Sequence, residues 1–422
     1  MNKQPNHPGL FIGIDWADQK HDCYVIDRDG KGFHQGIAHS PEKIDAWVAE
    51  MLQLADGKPV AIMLEQSRGP LVHALMFREN VLLFPINPKQ LVRYRESYPG
   101  CGKDDPTDAR YLACMLRERI STLKAWQPDD ENTRLLAHLS QQRRKMVDGQ
   151  TKLRLQLIAL LKSYFPLVFE LFATVRQQPL LLSVLSRWSD PRQLRRADPR
   201  LIRRVLREHC IRSEERQNEI IDRIRSAQLL TRDDALIMPA AMVVRLLVSQ
   251  LQQSHKTIKE FDVKIAEAMK RHPDAHLFTS RGAGPALAPR LLCAFGSQKD
   301  RWEDADSLAA FCGISPVTRK SGKKCQVRRR YACPKFLRQT FHEFADSARL
   351  YCPWTTARYR MLRDRGMKHH AALRKLARSW IRILFRVWKT GTPFDGDRYI
   401  AQLKQRCPEI TKYLAPQNSS NL

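Results

Sequence analysis

Over the first hundred residues, apolar and polar positions alternate in short runs. Leu10 to Asp15, Asp22 to Asp27 and Phe33 to His39 are β-type segments separated by polar turns, and Asp29-Gly30 marks a hairpin. Three antiparallel strands are predicted. Ser40-Pro41-Glu42-Lys43 then supplies an N-cap serine and a first-turn proline for a helix carrying Ile44, Trp47, Met51 and Leu54 on one face. Strand Val60 to Leu64, a helix from Pro70 to Glu79, strand Val81 to Ile86 and a helix from Pro88 to Glu96 continue the alternation.

The period lengthens near Gln127. Leu136, Leu139, Met146, Leu153, Leu157, Leu160 and Tyr164 recur at three-four spacing, and so do Val244, Leu247, Leu251, Ser254, Ile258, Phe261, Ile265 and Ala268 before Pro273. Two long helices with apolar seams follow, predicting an antiparallel coiled coil that pairs within the chain or between chains. Between them, 165–239 reads as a helical insert cut by Pro166, Pro179, Pro191 and Pro199. It is rich in arginine: Arg192, Arg195, Arg196, Arg200, Arg203, Arg204 and Arg207. A basic face of this kind is either solvated surface or a nucleic-acid contact. From Phe278 onward, Ser280-Arg281-Gly282-Ala283-Gly284-Pro285 precedes a helix from Ala286 to Phe295, and Asp304 to Ala310 forms another.

Strands first, then alternating helix and strand, is the order of an RNase H-like domain, so the predicted class is α/β followed by α. The boundaries are 1–126 for the α/β domain, 127–272 for the coiled coil and insert, 273–400 for a mostly helical domain, and 401–422 for a tail.

Charge narrows the partner. Lys plus Arg number 72 against 44 Asp plus Glu, a formal charge of +28, so a polyanion is expected and nucleic acid is the default. The apolar runs Leu180 to Leu185 and Ala240 to Leu251 fall short of the roughly 20 helical residues a bilayer requires, so no membrane span is expected. The polar start, Met1 to Gly9, reads as no leader, and a cytoplasmic, nucleoid-associated protein is expected. Ten cysteines without a CxxC pair predict reduced thiols. Cys325, Cys333 and His342 come nearest to a metal cluster, but their spacing fits no common zinc site.

Four carboxylates fall where a sheet presents ligands. Asp15 ends the first strand, Glu65 ends the fourth, and Asp105 and Asp108 stand three apart at the start of the next helix. Such a cluster suits magnesium and phosphoryl transfer. Asp105 as N-cap, Pro106 at the first position and Asp108 in the first turn equally describe an ordinary helix start, and Asp104 replaces Asp105 if the register shifts by one. Far downstream, Val317 to Arg330 holds seven basic residues, Arg319, Lys320, Lys323, Lys324, Arg328, Arg329 and Arg330, around Ser321. A serine hydroxyl is a weak nucleophile until a positive field lowers the cost of its alkoxide, and the same cations would neutralise a phosphate under attack. The plainer reading is a loop tip on a basic DNA-binding hairpin. Gly282 and Gly284, before a helix N-terminus, offer backbone amides to a phosphate or simply open that helix.

The GIDWA strand, the MLEQSRG strand end, the KDDPTDARYLA helix start, the long-helix middle, the RGAGP turn and the AFCGISPVTRKSGKK stretch occur in this order. Together they resemble transposases of the insertion-sequence IS one-ten family, the DEDD recombinases guided by a bridge RNA. The resemblance spans nearly the whole chain and is weakest over 165–239. It implies a RuvC-like domain in which Asp15, Glu65, Asp105 and Asp108 bind Mg2+, and a transposase domain in which Ser321 attacks DNA. It implies donor and target DNA and a bridge RNA as partners. It also implies a tetramer built as a dimer of dimers, with the acidic site of one subunit facing the serine of another. The helices from Arg349 to Arg386 would add contacts to the DNA backbone. A RuvC-like junction nuclease with no covalent step, or a non-catalytic RNA-DNA scaffold, are the competing readings.

Overall fold

A computed structural model describes residues 7–65, 69–98, 104–172, 178–279, 282–322 and 324–414. The chain divides into two compact units, one of residues 1–134, 280–282 and 294–422, the other of 135–279 and 283–293.

The first unit opens with a five-stranded sheet. Its strands are β1 (Leu10–Asp15), β2 (Lys20–Ile26), β3 (Gly32–Ala38), β4 (Val60–Leu64) and β5 (Val81–Pro85), ordered β3-β2-β1-β4-β5. β2 runs antiparallel to β1 and β3, whereas β1, β4 and β5 are parallel. Parallel strands need both faces covered, and β4, Val-Ala-Ile-Met-Leu, is buried at every position. One face is filled by α1 (Pro41–Leu54) and α2 (Pro70–Leu75), through Trp47, Met51, Leu71 and Leu75. The other is filled by α3 (Pro88–Arg95) and α4 (Asp105–Arg119), through Leu91, Tyr94, Leu112 and Leu116. The predicted strands and helices are present here, with α2 shorter than expected.

One contact fixes α4. A Cβ on Gly13, in the middle of β1, would lie 2.1 Å from the Ala109 carbonyl oxygen and 2.4 Å from the Ala113 nitrogen. Only glycine lets the helix backbone lie directly on the strand, and that approach carries the first turn of α4 to the end of β1.

The same unit contains a mostly helical C-terminal part. It comprises α13 (Ala305–Phe311), the hairpin β6 (Val317–Ser321) and β7 (Lys324–Arg328), α14 (Lys335–Tyr351), α15 (Pro353–Asp364), α16 (His369–Thr390), α17 (Gly396–Arg406) and α18 (Thr411–Leu414). Its core is aromatic: Trp354, Trp380, Trp388, Phe341 and Phe344 are fully buried. The segment leaving the sheet is fastened to this part. Asp129 accepts from the Ser297 backbone N–H at 2.7 Å and pairs with Arg301 at 2.8 Å, while Gln298 donates to the Pro128 carbonyl at 3.0 Å.

The second unit is helical. α5 (Glu131–Tyr164) enters it, followed by α6 (Pro166–Phe172), α7 (Gln178–Arg187), α8 (Pro191–Arg196), α9 (Pro199–Glu208), α10 (Glu214–Ser226) and α11 (Asp234–Arg271), with α12 (Gly284–Phe295) contributing most of its length. Leu157 and Leu161 of α5 share a core with Val244, Leu247, Val248 and Leu251 of α11. Arg143 pairs with Asp262 further along, so the two long helices run in opposite directions. α11 begins at Asp234, capped by Asp233, and Pro239 lies inside it instead of ending the insert. The apolar run Ala240 to Leu251 is therefore part of a 38-residue helix that contains an 18-residue stretch of mean hydropathy 1.5, enough by length and composition alone to cross a membrane. The sequence-based expectation treated that run alone. In this fold its apolar positions Ile237, Val244, Leu247 and Leu251 are packed in the core of the unit.

Candidate active site

Ile14 of β1 pairs with Leu64 of β4, so the residues that follow, Asp15 and Glu65, leave the sheet side by side. Together with Trp16, Leu64, Leu71 and Val72 they line one cleft. Burial pushes the Asp15 carboxyl up to about 6, and the charges of Asp105, Glu65 and Asp108 push in the same direction, in that order of size. The other three sequence-predicted carboxylates therefore all act on Asp15. Asp105 and Asp108 reach the strand ends on the first turn of α4, carried there by the Gly13 contact.

The expectation that Asp105 caps α4 is corrected. Asp104 is the N-cap, with extended backbone and a carboxylate accepting from the Thr107 N–H at 2.7 Å; hydrogen bonding from the Thr107 side chain first, and then from this N–H, holds its carboxyl below the usual range. A cap must stand outside the helix, so Asp105 becomes the first helical residue and is free of that duty.

Asp108 is held from the other side. Nη1 of Arg95, the last residue of α3, donates to both Asp108 oxygens, at 2.7 and 3.0 Å, and the pair is largely shielded from water. This bond raises the already high pKa of Arg95. No spacing rule links residue 95 to 108, and its only trace in the sequence is the basic last turn of α3, a common feature.

A second group unnoticed in the sequence backs Asp15. Trp16 stacks on His21 at 6.3 Å, and His21 is fully buried. His21 Nδ1 accepts from the Ala17 N–H at 3.3 Å, so Nε2 carries the proton and donates to His39 Nδ1 at 3.0 Å. Burial, then the neighbouring His39, lowers the His21 pKa and keeps the ring neutral. The turn after Asp15 is thus tied to the ends of β2 and β3.

Among the described residues no three His, Cys, Asp or Glu side chains are arranged to hold a metal ion as they stand. The chemistry of the donor set nevertheless suits a divalent cation: Asp15, raised first by burial, is raised further by the charges of Asp105, Glu65 and Asp108 even with Arg95 paired to Asp108. Among the described residues Cys325, Cys333 and His342 form no metal group either.

Ser321 ends β6 opposite Lys324 and is exposed, as is almost all of the hairpin. Gly322 takes the left-handed backbone that the tight turn requires, with φ +53°. Arg319 and Lys320 are exposed beside the serine, and Lys323 lies outside the described residues, as do Gln66, Ser67 and Arg68 after Glu65. Three of the predicted binding residues have local partners: Arg328 donates to Gln326 at 2.8 Å, Arg330 to the Ser315 carbonyl at 3.4 Å, and Arg329 lies over Tyr331. Gly282 sits against α14, where a Cβ would come within 2.7 Å of Ala348 Cα, and Gly284 opens α12 with free space around it. Packing explains the first glycine without any ligand.

Two family models match the chain. The DEDD IS110 model, described as "Transposase", covers residues 12–166, and "Transposase IS116/IS110/IS902 family" covers 274–360. The mini-circle IS117 transposase candidate of Streptomyces coelicolor is 28% identical over 415 residues, 94% of this chain and 98% of its own. The IS110 insertion-element protein of the same organism is 26% identical over 92% of this chain and 96% of its own. An IS900 insertion-element protein of Mycobacterium paratuberculosis is 27% identical over 89% and 94%. The two matched stretches contain the four carboxylates and the serine hairpin respectively, and the chain belongs to the IS110 family of transposases.

Proposed function

We propose that this transposase exchanges DNA strands through a covalent bond to Ser321, assisted by magnesium held at Asp15, Glu65, Asp105 and Asp108. The observation that carries this reading is the charge effect on Asp15, at the end of β1, of Glu65 beyond β4 and of Asp105 and Asp108 at the start of α4, in a chain that also exposes a serine on a cationic hairpin. The strand order β3-β2-β1-β4-β5, with β2 alone antiparallel to β1, supports an RNase H-like domain.

In the proposed reaction, Ser321 Oγ attacks a backbone phosphorus. The serine–phosphorus bond forms as one bridging P–O bond breaks, the serine gives up its proton, and the displaced strand end leaves as a hydroxyl after taking one up. A hydroxyl of a partner strand then attacks the phosphoserine, restores a phosphodiester and returns the proton to Ser321. The energy of the phosphodiester is kept throughout, so no nucleotide is consumed. Arg319, Lys320 and Lys324 beside the serine favour its alkoxide and bind the phosphate. When bound, magnesium would polarise the scissile phosphate.

The wider reading follows from the family resemblance. Target and donor are chosen by pairing with a bridge RNA, and the protein reads shape and charge, in keeping with its +28 formal charge. The α5 and α11 pair serves as a coiled coil in a tetramer that brings the carboxylates of one subunit to the serine of another. Such a protein works on DNA in the bacterial cytoplasm.

The test is a denaturing gel with end-labelled DNA. Wild type forms a protein-DNA adduct in magnesium, and Ser321→Ala forms none while still binding DNA. Cleavage by Ser321→Ala without an adduct would replace this reading with a metal-dependent junction nuclease. Unchanged recombination by Asp15→Ala would remove the acidic site from the reaction. Sequencing of copurified nucleic acid tests the guide.

A further inference from the structure

Helices α7 to α10 of the second unit lie outside both stretches that the family models match. Their arginines fall into two groups. Some are tied down: Arg192 pairs with Asp190 at 2.8 Å and with Asp234 at 2.6 Å, Arg203 donates to Asn218 at 3.0 Å, and Arg187 meets Glu208 at 3.7 Å. Of the other carboxylates on these helices, Asp198 caps α9 by accepting from the Arg200 backbone N–H and Glu219 pairs with Arg216, while Glu214, Glu215 and Asp222 lie along α10. Arg195, Arg196, Arg200, Arg204 and Arg207 are exposed, and among the described residues none is ion-paired.

Their placement is ordered. In α9 the buried residues Ile202, Val205 and Leu206 face the core, and Arg200, Arg204 and Arg207 repeat at i, i+4, i+7 on the opposite side. At 1.5 Å of rise per residue, Arg200 and Arg204 stand about 6 Å apart along the axis, far enough to engage separate phosphates. Arg195 and Arg196 end α8, immediately before α9. Uncompensated guanidinium groups on one face repel one another, and the partner that relieves them is a polyanion presenting charge at regular intervals.

We infer that the Arg195–Arg196 end of α8 and the Arg200–Arg204–Arg207 stripe of α9 form an auxiliary docking surface for the phosphodiester backbone of duplex DNA, the polymer a transposase acts on. The surface acts by charge and spacing, so it is indifferent to sequence. It is independent of the proposed Ser321 chemistry and persists in a protein unable to cut.

The experiment uses the full chain in EDTA, where no strand cutting occurs, and measures binding of a labelled 30-base-pair duplex of DNA, and separately of RNA, across a salt series. The triple variant Arg200→Gln, Arg204→Gln, Arg207→Gln is compared with Lys256→Gln, Lys259→Gln, Lys270→Gln, which removes equal charge from exposed lysines of α11. The arginine variant should bind ~10-fold or more weakly at low salt and flatten the log-log salt slope on DNA by about 2 to 3, near 0.9 for each phosphate no longer neutralised. Lysine at the same three positions should restore most of the slope, which separates charge loss from misfolding. An effect confined to the RNA duplex would overturn the assignment to DNA. Equal effects from the arginine and α11 lysine variants, or an unchanged slope on both duplexes, would overturn the inference.

Discussion

Arg95 and Asp108 are joined through two hydrogen bonds, at 2.7 and 3.0 Å, across the gap between α3 and α4. The guanidinium neutralises one of four crowded carboxylates and competes with any cation for it. Breaking a shielded ion pair leaves a stranded charge, so Arg95→Met should destabilise the metal-free protein by about 2–4 kcal/mol. Manganese or magnesium should recover part of that loss, because the freed carboxylate becomes available. Thermal unfolding in EDTA and in divalent metal checks this; an equal loss in both would mean that Asp108 takes no part in cation binding.

Asp15 sets a pH dependence. Its carboxyl titrates near 6 when folded, because of burial first and then Asp105, Glu65 and Asp108, against 3.8 as the ordinary value. A raised folded value means that the folded state holds the proton more tightly, so the stability contribution is full below the ordinary value and is lost as pH rises through about 6. Asp15→Asn should therefore stabilise the metal-free protein at pH 7.5 by about 1–2 kcal/mol, discounted for partial exposure of the carboxylate, and leave it unchanged near pH 3. Calorimetric binding of manganese to wild type should strengthen between pH 5 and pH 7 as the proton is displaced. A flat profile would show that Asp15 is not a ligand.

Asp104 and Asp105 separate a helix cap from a proposed metal ligand. Removing the Asp104 carboxylate leaves the Thr107 N–H without its partner, so Asp104→Ala should lower stability by loss of the helix cap. Metal affinity should be unaffected. Asp105→Asn removes the largest charge acting on Asp15, so the Asp15 midpoint should fall toward its ordinary value while metal affinity drops. The two variants, followed by unfolding and by metal titration, should show opposite patterns. Matching patterns would return the cap and ligand roles to an unresolved register.

The parts of this site that were legible in the sequence are those governed by local rules. Asp15 and Glu65 follow apolar runs that could only be strands, and Ser321-Gly322 between basic residues reads as a turn. The Asp104 cap was displaced by one residue because acid-acid-proline satisfies helix-start chemistry in two registers. Arg95 and the His21–His39 pair escaped for a different reason. The first bridges two helices across a loop, and the second depends on the register of β2 against β3, where His21 lies opposite Ile37 and His39 just beyond. Long-range partners carry no period. The amphipathic stripe of α11 was visible as a seam, but the helix's full length was hidden by Pro239, which local rules read as a boundary.

Gly13 links the fold to the chemistry, because α4 reaches the strand ends only by lying on a position without a side chain. A methyl group there would meet the Ala109 carbonyl oxygen at 2.1 Å and the Ala113 nitrogen at 2.4 Å, both backbone atoms that no rotamer change can move. The helix would have to lift, taking Asp105 and Asp108 away from Asp15 and thinning the packing of Leu112 and Leu116. Gly13→Ala should therefore cost on the order of 3 kcal/mol and weaken divalent binding in the same variant. Gly149, inside α5 with nothing within 4 Å of its would-be Cβ, is the matched control. There the same change should stabilise by ~0.5–1 kcal/mol through helix propensity, with metal binding untouched. Chemical denaturation with parallel manganese titration measures both effects. A Gly13→Ala protein that retained wild-type metal affinity would show that the carboxylates are brought together by something other than the seating of α4 on β1.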